Sequence, residues 1–288
     1  MTYIIAGTRL QLSSFVDRLT HAAQANRSLL CVGLDPDPDL MADPDVVGFN
    51  RAIIDATSDL VCAYKPNMGF YEALGLDGLR SLEKTVEYIR EVAPSIVVIG
   101  DAKRGDIASS SVMYARAMFD VWGFDAATVN GYGGGESLTP FFERTNCGVL
   151  VWCRSSNPGA GELQDVSVGA CGNDRHFYEQ VAERAVAWNQ HGNVGVVVGA
   201  TYPEQLSKVR SICRDMPILL PGVGAQAGEM ESAVRVGVDR HGRNLIVSSS
   251  RSVLYASKRS DFAAAARDAA ADLRDAINYT LEQCGLDW

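Results

Sequence analysis

Three charged residues, Asp101, Lys103 and Asp106, end an apolar run that predicts a buried strand over residues 96–103. Side chains alternate faces along a strand, so Asp101 and Lys103 are expected to point the same way. Charged side chains are rarely buried without a partner or a task, and parallel α/β proteins place their chemistry at the carboxyl ends of strands. This spacing therefore predicts a reactive polar site in which a lysine lies between carboxylates.

Other polar residues stand at the ends of further predicted strands, namely Asp35, Lys65, Ser156, Gln226 and Arg251. Each has an ordinary structural interpretation. Asp35 could form an Asx turn before a proline, Lys65 could extend to the rim, and Asp106 could cap the next helix. Taken together, two lysines and several carboxylates around one face favour a functional site over separate structural roles.

Two further segments predict an anion site. Residues 221–228 read Pro-Gly-Val-Gly-Ala-Gln-Ala-Gly and open a helix, and residues 248–251 read Ser-Ser-Ser-Arg. Small residues expose backbone N–H groups, a helix amino terminus favours an anion, and Arg251 adds a permanent charge. Because these segments follow the seventh and eighth predicted strands, their position is typical of phosphate sites in barrels.

The elements that must position these residues alternate between strands and helices. We predict eight strands, over residues 29–35, 60–65, 96–103, 126–130, 148–152, 194–200, 218–222 and 244–248. Helices are predicted over residues 46–59, 77–92, 107–122, 136–143, 175–190, 203–214, 227–236 and 261–282. This alternation predicts a parallel sheet, and eight units favour a (β/α)₈ TIM barrel formed by one domain, residues 1–288.

Two further features and one alternative complete the predicted architecture. An extra N-terminal helix over residues 12–25 is expected across the bottom of the barrel. A doubly wound open sheet is the alternative fold. The stretch 153–173 is rich in Gly, Ser and Asp and is predicted to be a long binding loop or lid.

Composition excludes several classes of function. A formal charge of −9 over 288 residues argues against a general binder of nucleic acids or membrane surfaces. The apolar runs are of strand length and too short to span a membrane. Seven cysteines without C-x-x-C spacing suggest a reducing, cytoplasmic location. The four histidines fall away from the predicted strand ends, and no zinc-type spacing or Gly-Lys-Ser/Thr phosphate loop is present.

A set of motifs in this order resembles the orotidine 5′-phosphate decarboxylase family in its longer bacterial form. The motifs are Gly-Leu-Asp-Pro at 33–36, Tyr-Lys-Pro-Asn at 64–67, Asp-Ala-Lys-Arg-Gly-Asp-Ile at 101–107, Ser-Asn-Pro-Gly at 156–159, Pro-Gly-Val-Gly-Ala-Gln at 221–226 and Arg-Ser at 251–252. The Asp-x-Lys-x-x-Asp pattern is shared with other phosphate-binding barrels. Its combination with Lys65, Ser156, Gln226 and Arg251 is much more specific.

The resemblance implies decarboxylation of orotidine 5′-monophosphate to uridine 5′-monophosphate, without a metal or an organic cofactor. It implies that Lys103 donates a proton to C6 and that Asp101 lies beside the departing carboxylate. Asp101, Asp106 and Lys65 would hold Lys103 in place. It also implies a homodimer, because the family's second aspartate, here Asp106, reaches into the partner subunit's site.

The resemblance also implies the residues that bind the nucleotide. Asp35 and Lys65 would contact the ribose hydroxyls, and Ile107 and Ser110 would line the region shared between subunits. Ser156 would read the pyrimidine edge. The residues implied at the phosphate are Gln226, Ser250 and Arg251.

Two other functions remain as alternatives. A magnesium-dependent sugar-phosphate lyase of the same barrel group shares the Asp-x-Lys-x-x-Asp strand, but it has an acidic metal ligand on the second strand, where this chain has Lys65. A non-catalytic sensor of nucleotide phosphates would have the same fold. For a pure binder, the set of Lys65, Asp101, Lys103 and Asp106 would be unusual.

Overall fold

A computed structural model describes residues 14–169, 175–222 and 227–288. Eight parallel strands close into a barrel in which each strand pairs with its neighbours in chain order. The strands are β1 (Leu30–Leu34), β2 (Ala63–Pro66), β3 (Val97–Arg104), β4 (Ala126–Val129), β5 (Gly148–Arg154), β6 (Val194–Val198), β7 (Ile218–Pro221) and β8 (Leu245–Ser249). The closed barrel confirms the predicted (β/α)₈ fold and excludes the open sheet.

Helices surround the barrel and connect its strands. They are α1 (Phe15–Asn26), α2 (Val46–Thr57), α3 (Met68–Ala73), α4 (Gly75–Val92), α5 (Ala108–Ala115), α6 (Gly135–Phe142), α7 (Gly161–Gln164), α8 (Phe177–Trp188), α9 (Pro203–Cys213), α10 (Ala227–Gly237), α11 (Arg251–Leu254) and α12 (Phe262–Gln283). Within the described ranges, no helix is both long enough and apolar enough to cross a bilayer.

The structure differs from the predicted secondary structure mainly in its short helices. All eight strands are present, with bounds shifted by at most three residues. Helices α3, α7 and α11 were not predicted, because four to six residues are too few to show a helical period. The predicted helix 107–122 is α5 continued by a π-helical turn over Arg116–Val121. The predicted long loop contains a 3₁₀ turn at Pro158–Ala160 and then α7.

The strands are apolar and buried on both sides, as a barrel enclosed by helices requires. Every residue of β1, β2, β4, β6 and β8 is buried. The backbone of β3 runs close to an aromatic ring in the segment that precedes β4. A Cβ at Gly100 would lie 2.3 Å from the ring of Phe124, so glycine permits this approach.

Helix α1 closes the amino end of the barrel. Ser14 and Asp17 form a capping box, in which each side chain accepts a hydrogen bond from the other residue's backbone N–H. Phe15 is fully buried beside the start of β5, where a Cβ at Gly148 would lie 2.6 Å from its ring. The helix therefore lies across the bottom, as predicted, although residues 12 and 13 of the predicted range fall outside the described residues.

We predict that Phe15→Ala lowers the free energy of unfolding by about 3–5 kcal/mol, because it removes a buried ring and leaves a cavity that the rigid barrel end fills only in part. Urea unfolding followed by circular dichroism measures the change. Phe15→Leu is the matched control and should cost clearly less, because it keeps most of the apolar volume. A cost below 1 kcal/mol for the alanine variant would show that α1 contributes little to the closed barrel.

Candidate active site

Two lysines share one carboxylate at the carboxyl end of the barrel. The Nζ atom of Lys65 on β2 lies 2.9 Å from Oδ2 of Asp101, and Nζ of Lys103 lies 2.7 Å from Oδ1 of the same residue. Lys65 is 3% exposed and Asp101 is 7% exposed, whereas the side chain of Lys103 reaches the open mouth. The structure thus brings together three of the predicted residues and shows that Lys65 does not extend to the rim.

The electrostatics keep the buried pair ionised. Burial alone would raise the pKa of Asp101, but the charges of Lys65 and Lys103 and the hydrogen bonds they donate hold this pKa well below its usual value. Burial alone would lower the pKa of Lys65, and the charges of Asp101 and Asp35 instead raise it. One aspartate is therefore flanked by two ammonium groups, and a positive amine is available in the mouth.

Strand β3 is irregular at the site. Its pairing with β4 shifts so that Gly100 lies opposite Ala127 and Arg104 opposite Val129, which leaves more residues on β3 than on β4. Lys103 has a φ of 47°, in the left-handed region that a residue with a side chain rarely adopts. The two side chains do converge as expected, but through this bulge and not through regular alternation.

Thr128, on β4, was missed by the sequence analysis. Its buried hydroxyl donates to Oδ1 of Asp101 at 2.8 Å and accepts from the backbone N–H groups of Ala102 and Lys103, each at 3.0 Å. The available signal was a hydroxyl at the centre of the apolar run 126–129. Periodicity could not reveal its partners, because they lie on another strand.

Asp35 follows β1 with one carboxylate oxygen, Oδ1, that is buried and has no hydrogen-bond partner among the described residues. The Asx turn is wrong, because the backbone N–H of Asp37, which such a turn would direct to the carboxylate of Asp35, donates to the hydroxyl of Tyr255. The neighbouring backbone is held by Tyr255, whose hydroxyl donates to the carbonyl of Asp35 at 2.7 Å and accepts from the N–H of Asp37 at 2.8 Å. An unpaired carboxylate oxygen is thus fixed at the mouth, ready to accept a hydrogen bond from a ligand.

Ser156 begins the segment that crosses the mouth after β5. Its backbone packs over the end of β6 at a distance that only glycine allows, since a Cβ at Gly199 would lie 2.6 Å from its nitrogen. The same segment is tied down by buried Arg154, which donates to Gln164 at 2.9 Å and to Asp165 at 3.1 Å. Ser156 is therefore held by an anchored loop close to the residues that follow β6 and β7, Gly199 and Gly222.

The predicted phosphate residues are only partly described. Ser250 precedes α11 and packs so close to β1 that a Cβ at Gly33 would lie 1.9 Å from its hydroxyl oxygen. Arg251 opens α11 with an exposed side chain that makes no hydrogen bond or ion pair within the described ranges. Gln226 lies outside the described residues. A guanidinium without an internal partner, beside β8, remains available for an anion.

Asp106 is not part of the lysine cluster within one chain. It is exposed, and Oδ1 accepts a hydrogen bond from the N–H of Ile107 at 2.7 Å. The predicted helix cap is wrong, because α5 begins at Ala108 and its N-cap, Ile107, makes no side-chain cap. Ser110 is half-buried in the first turn of α5, and Ile107 is 70% exposed.

The hydrogen bonds that Asp101 accepts favour ammonium groups over a metal ion as its partners. Oδ1 of Asp101 accepts from Lys103 and Thr128, and Oδ2 accepts from Lys65. These hydrogen bonds already neutralise the carboxylate, whereas Mg²⁺ is usually held by one or two free carboxylates. In the parts of the chain that the structure describes, no group of three or more His, Cys, Asp or Glu side chains could hold a metal ion.

We predict that Asp101→Asn lowers the free energy of unfolding by about 3–5 kcal/mol at pH 6, because it leaves a buried lysine without its counter-charge. The folded-state pKa of Asp101 lies below that of an unfolded aspartate, so this contribution is present above about pH 4 and is lost as the pH falls further.

Urea unfolding of both proteins at pH 6 and pH 3 measures this difference, which should shrink at the lower pH. Asp77→Asn is the control, because that side chain is 90% exposed and should change stability little at either pH. A difference for Asp101→Asn that is the same at both pH values would contradict the ionised pair.

Comparison with known proteins shows the family of the chain. The model of the orotidine 5′-phosphate decarboxylase / HUMPS family matches residues 28–268. Over 271 residues the chain is 52% identical to the orotidine 5′-phosphate decarboxylase of Thermomicrobium roseum, covering 92% of this chain and 95% of that protein. It is 49% identical to the Cellvibrio japonicus enzyme over 274 residues, covering 92% and 98%. The solved Leishmania donovani OMP decarboxylase is 36% identical, with a TM-score of 0.81 over 93% of this chain and 98% of that one. The chain therefore belongs to the orotidine 5′-phosphate decarboxylase / HUMPS family.

Proposed function

We propose that this chain converts orotidine 5′-monophosphate to uridine 5′-monophosphate and CO₂, a step of pyrimidine nucleotide synthesis, with Lys103 as the proton donor. The observation that carries the assignment of roles is the buried cluster of Lys65, Asp101 and Lys103 at the barrel mouth. Turnover of orotidine 5′-monophosphate, followed by its loss of ultraviolet absorbance, is the direct test.

The reaction is difficult because the electron pair left by CO₂ lies in an sp² orbital at C6 of the pyrimidine. No carbonyl can delocalise that pair by resonance. The C6–carboxylate bond breaks, its electrons stay on C6, and a proton must then form the new C6–H bond. A fixed positive charge next to C6 stabilises the pair as it develops, and it does so best in a site that excludes water.

Lys103 is suited to both tasks. Its Nζ is held 2.7 Å from Oδ1 of Asp101, and its side chain is the only one of the three that reaches the open mouth. It donates the proton to C6 and regains one from solvent after product leaves. Lys65 is less suited to this role, because it is nearly fully buried and its Nζ is bonded to Oδ2 of Asp101.

Asp101 contributes through its own negative charge. Two ammonium groups keep it ionised, so a substrate carboxylate beside it meets like-charge crowding that is relieved as CO₂ departs. The same carboxylate orients Lys103 toward C6. Both effects require that the pKa of Asp101 stays low while substrate is bound.

The remaining residues hold the nucleotide. The unpartnered Oδ1 of Asp35 is placed to accept a hydrogen bond from a ribose hydroxyl, and Lys65 lies beside it to donate one. Ser156, on its anchored loop, contacts the pyrimidine edge. The phosphate is bound by the free guanidinium of Arg251, with Gln226 and the backbone near Ser250. Binding energy from this distant phosphate can then be used to lower the barrier at C6.

A homodimer explains the position of Asp106. This carboxylate is exposed and does not reach Lys103 in its own chain, although the family motif places it with the catalytic residues. The next residue leaves an apolar side chain in water, since Ile107 is 70% exposed, and further along α5 Met113 is 61% exposed. We assign Asp106, with Ile107 and Ser110, to the site of the partner subunit across a two-fold axis.

Neither a metal nor an organic cofactor is needed in this scheme. The lyase alternative requires an acidic metal ligand on β2, and the corresponding side chain is Lys65, whose charge opposes a cation. The sensor alternative gives no reason to bury Lys65 and Asp101 together, since desolvating an ion pair costs several kcal/mol per ion. Cys31, Cys62, Cys153 and Cys213 are buried free thiols, which supports a reducing, cytoplasmic location.

We predict that Lys103→Ala lowers kcat by at least about 10²–10⁴-fold, the range for loss of a positioned general acid alone, with the lost electrostatic stabilisation adding to it. Affinity for uridine 5′-monophosphate, measured by calorimetry, should stay within about an order of magnitude, because the ribose and phosphate contacts remain. Retention of more than a tenth of wild-type turnover would disprove the assigned role.

We further predict that mixing Lys103→Ala and Asp106→Ala proteins restores activity. In a mixed dimer with shared sites, one site carries both substitutions and the other carries neither. Random exchange makes about half of the dimers mixed, so roughly a quarter of all sites recover. Turnover should rise with the time of subunit exchange, and cross-linking each dimer before mixing should prevent the rise. Activity that never exceeds the sum of the two variants would place Asp106 in its own chain's site or outside any site.

A further inference from the structure

Thr128 stands out among the buried polar side chains that the proposed mechanism does not use. Its hydroxyl makes three hydrogen bonds, to Oδ1 of Asp101 and to the backbone nitrogens of Ala102 and Lys103. A hydroxyl has one hydrogen to donate and two lone pairs to accept with, so this set is saturated. Because backbone N–H groups can only donate, the hydroxyl hydrogen must point to Asp101.

These three bonds occur where β3 departs from regular pairing. Between Gly100 and Arg104 the register with β4 shifts, so the intervening N–H groups lose their carbonyl partners on the neighbouring strand. The Thr128 hydroxyl takes the place of such a carbonyl for two of them. A buried N–H group without a hydrogen-bond partner destabilises the folded state. The Thr128 hydroxyl therefore lowers the free-energy cost of this bulge in the closed barrel.

The bulge has a direct consequence for Lys103. Its backbone adopts the left-handed conformation, with a φ of 47°, and its Nζ returns to within 2.7 Å of Oδ1 of Asp101. In a regular strand, side chains two residues apart stand about 6.6 Å apart along the strand. The direction from which Nζ of Lys103 meets Asp101 is therefore set by the irregular backbone, whose N–H groups at Ala102 and Lys103 are bonded to Thr128.

We propose that Thr128 is a positioning residue of the decarboxylase site, which holds the β3 bulge and one oxygen of Asp101 so that Lys103 is aimed at the reacting carbon. This inference rests on the proposed roles of Asp101 and Lys103. The methyl group of Thr128 has no part in it, since all three contacts are made by the hydroxyl.

The test compares Thr128→Val, which keeps the shape and removes the hydroxyl, with Thr128→Ser, which keeps the hydroxyl. For the valine variant we expect kcat to fall by about 10²-fold, because a misplacement of about 1 Å has an effect of that size. KM and the affinity for uridine 5′-monophosphate should change less than threefold, because no nucleotide contact is removed. The serine variant should keep kcat within about fivefold of wild type.

Amide hydrogen exchange at Ala102 and Lys103 supplies a readout of the bulge that is independent of turnover and folding. Exchange should quicken in Thr128→Val and stay slow in Thr128→Ser, while amides in β6 remain protected in both.

Faster exchange with an unchanged kcat would overturn the proposal, and so would an equal loss of kcat in both variants. If the valine variant does not fold, a serine variant with less than a tenth of wild-type kcat and slow exchange would likewise overturn it. Full activity of Lys103→Ala would instead refute the proposed function, whatever the Thr128 variants do.

Discussion

One aspartate between two lysines is the interaction on which the rest of this barrel mouth depends. Lys65 and Asp101 are almost fully removed from water, and each ion costs several kcal/mol to desolvate. The cost is offset only when every charged group has close partners of good geometry. The two oxygens of Asp101 accept from three donors on three strands, so the cluster can form only after β2, β3 and β4 have paired.

The cluster coincides with a departure from regular strand geometry. Between Gly100 and Arg104 the pairing of β3 with β4 shifts, and Asp101 and Lys103 meet within that stretch. The chain accepts a bulge and a left-handed residue, a strain of the order of 1–3 kcal/mol that proteins tend to keep at functional sites. A single hydroxyl on the neighbouring strand supplies the missing hydrogen bonds. The Thr128 hydroxyl thus supports both the position of Asp101 and the irregular pairing of β3.

The charged cluster and the proposed nucleotide contacts lie on different parts of the fold. Strands carry the charged cluster, whose positions must be accurate to a fraction of an ångström, while loops and short helices carry Ser156, Ser250 and Arg251, which we assign to the nucleotide. The loops are still anchored, as buried Arg154 shows by tying the Ser156 segment to α7 and α9 through Gln164 and Gln205. Asp106 stands outside this frame and is exposed, so within one chain it does not join the charged cluster.

Much of this could be predicted from the amino-acid sequence alone. Short apolar runs at regular spacing defined the eight strands, and parallel closure then placed Lys65, Asp101 and Lys103 at one mouth. The sequence could not predict the bulge in β3, the three contacts of Thr128 or the oxygen of Asp35 that has no partner among the described residues. Local periodicity reports which face of its own element a side chain occupies. Hydrogen-bond register between strands, and the partners that a buried polar group finds there, are decided only when distant segments pack together and every buried donor must find an acceptor.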